Sequence, residues 1–214
     1  GAPTHFEKPT LDDVCRYLEL PPESVRCVYL RGSRAVGYAG FRGDGTPSDW
    51  DFVVVMRDSR VHLEDVHISY ANIEAVLYDE ATFNRLIESC SIWALECIFA
   101  PPHCLLKEEV DYRGMFARHF QATPAAELRA RLRKSVSFES GRKWGQAKRF
   151  LDLKHDGYGA RKRLFIALRF IVYGIELAKT GKIADLSCAN HLWEELKNDP
   201  STTWLELRQG WEPR

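Results

Sequence analysis

No Cys-x-x-Cys pair occurs among the six cysteines, Cys15, Cys27, Cys90, Cys97, Cys104 and Cys188. That spacing argues against a zinc site and predicts buried free thiols in a reducing compartment. No stretch approaches the ~20 consecutive apolar residues that a bilayer-crossing helix needs, so no membrane partner is expected. No secretory leader opens the chain, so a cytoplasmic address is the default expectation, with a mature organellar chain the alternative. Internal repeats and low-complexity tracts are absent too, and the seven histidines show no ligand spacing. Net charge is also missing, since 30 Lys and Arg balance 30 Asp and Glu. What remains is an ordinary globular composition, with 45% hydrophobic residues in a chain of 214. That length suits one domain or two small ones.

The zero net charge conceals an uneven distribution. Between Arg129 and Arg169 there are 13 Lys and Arg against three acids, Glu139, Asp152 and Asp156. That segment is therefore +10 and the rest of the chain −10. Such a split suggests a basic face for phosphates beside an acidic site.

The patterning falls into two halves. Thr10 is placed to cap a helix carrying Leu11, Val14 and Leu18. Val25 to Leu30 reads as a strand, Gly32 to Gly45 as turn and loop, and Asp51 to Met56 (DFVVVM) as a buried strand. Asn72 to Tyr78 alternates as a further strand. Glu80 to Ala100 has its apolar residues at helical spacing until Pro101-Pro102 stops it. Beyond Leu106 the patterning is helical, most clearly over Ala160 to Lys179, with Gly181 placed to end that helix. The expected fold class is α+β: a small mixed sheet with flanking helices over residues 1–106, then a helical unit over 107–214.

The chemistry-bearing stretch is Leu30-Arg-Gly-Ser-Arg-Ala-Val-Gly followed by Ser48-Asp-Trp-Asp-Phe-Val-Val-Val. A glycine and a serine directly after a strand let backbone N–H groups and a hydroxyl approach a phosphate, so Gly32 and Ser33 are candidate phosphate ligands. Asp49 and Asp51, two apart at a strand start, share one face. Two carboxylates side by side are costly without a cation, and Mg²⁺ (or Mn²⁺) resolves the repulsion while sharing substrate phosphates. Glu74, on the strand expected beside DFVVVM, is the best candidate for a third carboxylate. Lys162, Arg169 and Glu176 lie on one line of a helix, from which Lys162 and Arg169 could reach a triphosphate. Lys148, Arg149, Arg31 and Arg34 are further candidates. Glu96, on a largely apolar helix, needs a partner and is read as holding an arginine of the helical half.

The order strand, Gly-Ser, loop, Asp-x-Asp, strand, acid resembles the hG[GS]…[DE]h[DE]h signature of the DNA polymerase β nucleotidyltransferase superfamily. By position, the resemblance implies that Gly32 and Ser33 hold phosphate and that Asp49 and Asp51 hold metal. Glu74 stands where the superfamily more often has Asp. Ile73-Glu-Ala-Val-Leu-Tyr-Asp, Ala94-Leu-Glu-Cys-Ile-Phe-Ala-Pro and Gly145-Gln-Ala-Lys-Arg look like the YcgL-like branch of predicted nucleotidyltransferases. The resemblance implies transfer of a nucleoside monophosphate from an NTP, with ATP the favoured donor, to an acceptor hydroxyl. An RNA 3′ end is slightly preferred as acceptor, and a protein or small molecule is an alternative. Rival readings are an inactive nucleotide-binding or antitoxin-like module on the same fold, and metal-dependent phosphodiester hydrolysis.

Overall fold

The computed structural model describes residues 3–38 and 40–212, so the extreme ends of both expected units lie outside it. Its centre is a five-stranded mixed sheet. The strands are β1 (Val25–Arg31), β2 (Trp50–Met56), β3 (Val66–Tyr70), β4 (Ile73–Asp79) and β5 (Leu105–Glu108). Their order is β3-β4-β2-β1-β5. Only β2 and β4 run parallel, and the other neighbours are antiparallel. The α+β expectation is met. The strands read from sequence are the three central ones, whose apolar runs are buried on both faces. Burying each Val or Leu there contributes roughly 1.5–3 kcal/mol.

The helices are α1 (Leu11–Tyr17), the single turn α2 (Ser33–Val36), α3 (Glu80–Glu88), α4 (Ile92–Ile98), α5 (Tyr112–Ala122), α6 (Ala125–Asp152), α7 (Gly157–Thr180), α8 (Asn190–Lys197) and α9 (Trp204–Trp211). Thr10 caps α1 through a reciprocal bond with Asp13, as its position suggests. The helix expected over Glu80 to Ala100 is instead two. Cys90 takes the left-handed conformation at φ 58°, and Ser135 Oγ of α6 accepts the Ile92 amide at 2.7 Å. A side chain from a distant helix thus supplies the cap that lets α4 start in a new direction. Asp79 caps α3, accepting from the amides of Thr82 and Leu63, each at 2.9 Å. Burial works against its ionisation, but these bonds hold its pKa down at about 2.

The two long helices pair as an antiparallel hairpin, and α4 packs against both. One continuous hydrophobic core runs from Val14 in α1 to Leu207 in α9. The expected boundary at 106/107 falls inside β5. Tyr29 and Phe83 stack at 6.2 Å, and Tyr78 meets Trp93 at 5.2 Å. Arg31, Asp51 and Glu74, on the same face as these residues, therefore open toward α4 and the α6–α7 pair. Among the described residues no helix is long and apolar enough to cross a membrane.

The crossing of α6 and α7 depends on Gly174, where an added Cβ would meet Val136 Cγ2 at 2.6 Å. Alanine normally stabilises a helix by about 1 kcal/mol over glycine. Here the stiff, branched Val136 opposes it, and overpacking costs typically 1–3 kcal/mol. Gly174→Ala is expected to lower stability by about 1 kcal/mol in urea unfolding. A gain in stability would show that the two helices are not held this close.

Candidate functional site

The cross-strand register sets four side chains in a line. Arg31 on β1 faces Asp51 on β2, Asp51 faces Glu74 on β4, and Glu74 faces Ser69 on β3. All four line a cavity of about 580 Å³ between the sheet and helices α6 and α7. Gly32 and Ser33 are at its edge. Gly32 has φ +74°, and a Cβ there would come within 3.0 Å of Asp51 Oδ2, so both backbone conformation and close approach call for glycine. Lys143 of α6 and Lys162, Arg163 and Arg169 of α7 form the opposite wall. The cavity therefore has a carboxylate floor and a cationic wall, a division that matches the charge split along the chain.

The electrostatics follow from this crowding. Burial pushes the Asp51 pKa up and Arg31 pulls it down. The hydrogen bond and charge of Glu74, with the charge of Asp49, raise it further, to about 7. Two adjoining carboxylates of this kind are a donor set that favours a proton or a metal cation between them. On the wall, Lys143 is lowered to about 8, first by burial and then by Arg142, Arg31 and Arg163. Lys162 and Arg163 are lowered as well, in both cases chiefly by burial. A cluster of partly desolvated cations gains charge partners when a polyanion enters.

The remaining candidates are placed differently. Asp49 precedes β2 and does not line the cavity. Its side chain is 12% exposed, bonds Arg42, and lies 3.2 Å from His5 Nε2. Among the described residues no group of three or more His, Cys, Asp or Glu is arranged to hold a metal ion. The three carboxylates expected to share a metal are thus not grouped in this structure, where Asp49 pairs with Arg42 instead. Arg34 does not reach the cavity either. It stacks over Trp50 at 4.0 Å and donates to the His5 and Ser48 carbonyls, each at 2.7 Å.

Arg169 lines the cavity, but most of its guanidinium is engaged elsewhere. Its side chain is 2% exposed, and its Nε and Nη2 donate to Glu96 at 3.0–3.2 Å. Only Nη1 lacks a partner. Glu96 therefore holds an arginine of the helical half, as expected, and that arginine is the one assigned to phosphate. Glu176, expected on the same line, accepts the Ala184 amide at 2.9 Å. Lys148 and Arg149 point outward. Trp50 is buried, its Nε1 donating to the Thr4 carbonyl at 3.0 Å.

Lys143 and Arg163 are the wall residues that the sequence reading missed. A signal existed for Lys143, since Ser140 and Ala147 share its stripe on α6 and both are buried. Small residues three before and four after a lysine mark the face where α7 comes close. His67 and Ser69 also reach the cavity, from β3.

No protein-family model matches the chain, and no curated protein does. Among solved structures, the chain is similar to the crystal structure of a nucleotidyltransferase-like protein from Exiguobacterium sibiricum 255-15. The match covers 91% of this chain and 68% of that one, at 15% identity and a TM-score of 0.36. A likeness of that size carries no chemistry, which must come from the residues themselves.

The wall makes a pH prediction. Lys143 is cationic below about 8 and neutral above it. Titration calorimetry with inorganic tripolyphosphate should show affinity falling as pH rises between about 7.5 and 9. Lys143→Met should bind more weakly at the low end and lose most of that slope. An unchanged slope in the variant would remove Lys143 from the anion site.

Proposed function

We propose that this cavity binds a nucleoside triphosphate and that the protein transfers its nucleoside monophosphate to an acceptor hydroxyl. The observation that carries the proposal is the paired acids Asp51 and Glu74 facing Lys143, Lys162 and Arg163 across one cavity, with Gly32-Ser33 at the edge. Its volume lies within the range of small-ligand sites. The superfamily resemblance of the Gly-Ser and Asp-x-Asp segments points the same way. Assignment to the YcgL-like branch rests on sequence motifs alone.

In this reading Lys143, Lys162 and Arg163 neutralise the triphosphate and hold it across the cavity. Gly32 and Ser33 bring backbone and hydroxyl up to its oxygens. The bond that forms joins the acceptor oxygen to the α-phosphorus. The bond that breaks releases pyrophosphate, and Glu74, exposed at the cavity edge, takes the hydroxyl proton. Asp51 and Glu74 fit a divalent cation, Mg²⁺ or Mn²⁺, and Asp49 would join them once freed from Arg42 and His5. Such an ion would supply charge neutralisation and acidify the acceptor hydroxyl. ATP is the expected donor.

One observation favours the non-catalytic alternative, a nucleotide-binding module: Asp49 is already tied to Arg42 and His5. Incubation with α-labelled ATP and Mg²⁺ separates the two. Transfer predicts pyrophosphate release with label on an acceptor, reduced roughly 10²-fold or more in Asp51→Asn. Retention of ATP with no pyrophosphate, whatever the metal, would establish the binding module instead. Cleavage of added RNA without any NTP would replace both with hydrolysis.

A further inference from the structure

Residues 41–47 form a small hairpin beside the cationic wall of the cavity. Phe41 and Pro47 pair across its base, and the Arg42 amide donates to the Thr46 carbonyl at 2.6 Å. Gly45, at φ +85°, donates back to the Arg42 carbonyl at 3.0 Å and closes the turn. Among the described residues the hydrogen bonds of this hairpin to the rest of the chain go to Asp49, Tyr158 and Lys162.

Two of those three partners belong to the site. Lys162 lines the cavity, and its Nζ donates to the Phe41 carbonyl at 3.4 Å. Asp49, the carboxylate expected to share a metal, pairs with Arg42 through Oδ2, and His5 Nε2 lies 3.2 Å from its Oδ1. The charge of Arg42 also reaches the wall. Burial lowers the Lys162 pKa most, and Arg163 and Arg42 lower it further against the pull of Asp51. The Arg42 side chain is 52% exposed, so its ion pair is a weak one. Among the described residues its guanidinium bonds nothing but Asp49.

We infer that Arg42 is a further ligand of the triphosphate, held on Asp49 until that carboxylate turns to a divalent cation. The inference rests on the nucleotide-transfer reading of the cavity. Asp49 gains more from a dication shared with Asp51 than from one half-exposed guanidinium, so the ion pair yields to that exchange. Arg42 is then left unpaired next to Lys162, where the phosphates lie in that reading, and a guanidinium grips phosphate through two N–H donors at once. Lys162, in turning to the phosphates, gives up the Phe41 carbonyl and loosens the hairpin that carries Arg42. Metal and triphosphate therefore favour each other's entry through one side chain.

The test measures Mn²⁺ binding by electron paramagnetic resonance and tripolyphosphate binding by calorimetry, each with and without the other. Arg42→Gln should bind Mn²⁺ alone roughly threefold more tightly, since no guanidinium competes for Asp49. The same variant should bind tripolyphosphate in the presence of Mn²⁺ roughly tenfold more weakly. Without Mn²⁺, Asp49→Asn should hold tripolyphosphate several-fold more tightly than wild type, and adding Arg42→Gln should remove most of that gain. A residue that only shapes the hairpin would move both ligands the same way or neither. Unchanged Mn²⁺ affinity in Arg42→Gln, or an Asp49→Asn gain that survives the loss of Arg42, would overturn the inference. If the wild type binds both ligands and the variants behave as it does, the inference alone falls. If the wild type binds no tripolyphosphate, the cavity reading falls and takes the inference with it.

Discussion

Within the shared core, the buried ion pair between Glu96 of α4 and Arg169 of α7 is a directional bond that links the sheet half to the long helices. Both side chains are almost fully withdrawn from water, with distances of 3.0–3.2 Å and two guanidinium nitrogens engaged. Tyr38, Phe165, Phe170 and Tyr173 surround the cation, each ring centre within 5.9 Å. A buried pair of this kind adds little net stability over a well-packed apolar pair, but removing one partner costs about 3–5 kcal/mol because the other stays charged. Its main effect is therefore positional. It fixes where α7 lies against α4, and so fixes the distance from the cationic wall to the carboxylate floor.

That wall and floor are complementary in a way neither achieves alone. Asp51 sits between Arg31 and Glu74 in the sheet, so its charge is part neutralised and part opposed. Lys143, Lys162 and Arg163 face the cavity with their charges partly desolvated. A polyanion entering with a cation would relieve both strains together. Arg42 meanwhile pairs with Asp49, and His5 Nε2 lies 3.2 Å from its Oδ1. The Phe41 carbonyl next to Arg42 accepts from Tyr158 at 3.2 Å and Lys162 at 3.4 Å, which ties that segment to α7.

How much of this was legible depends on the kind of element. The central strands β1, β2 and β4 announce themselves by apolar runs, and the pairing of Asp51 with Glu74 follows once their strands are adjacent. Edge strands β3 and β5 carry His67, Ser69 and Lys107, whose polarity hides them. The break at Cys90 is fixed by Ser135, 45 residues away in sequence, and no local pattern encodes it. For the arginines, charge alone was misleading. Arg34 and Arg169 look like Arg31 and Arg163 in sequence, but packing directs the first pair into the protein's own carbonyls and carboxylate. Lys143 was recoverable only from the small residues flanking it on its stripe.

The parallel pairing of β2 and β4 has one more consequence. Asp51 and Glu74 are both the second residue of their strands, and these strands point the same way. Their separation is therefore set by ladder hydrogen bonds and not by the intervening chain. The segments before β2 and between β2 and β3 can lengthen, shorten or change composition without moving one acid relative to the other. The sheet acts as a jig, leaving the surrounding loops free to vary while the two carboxylates keep their spacing.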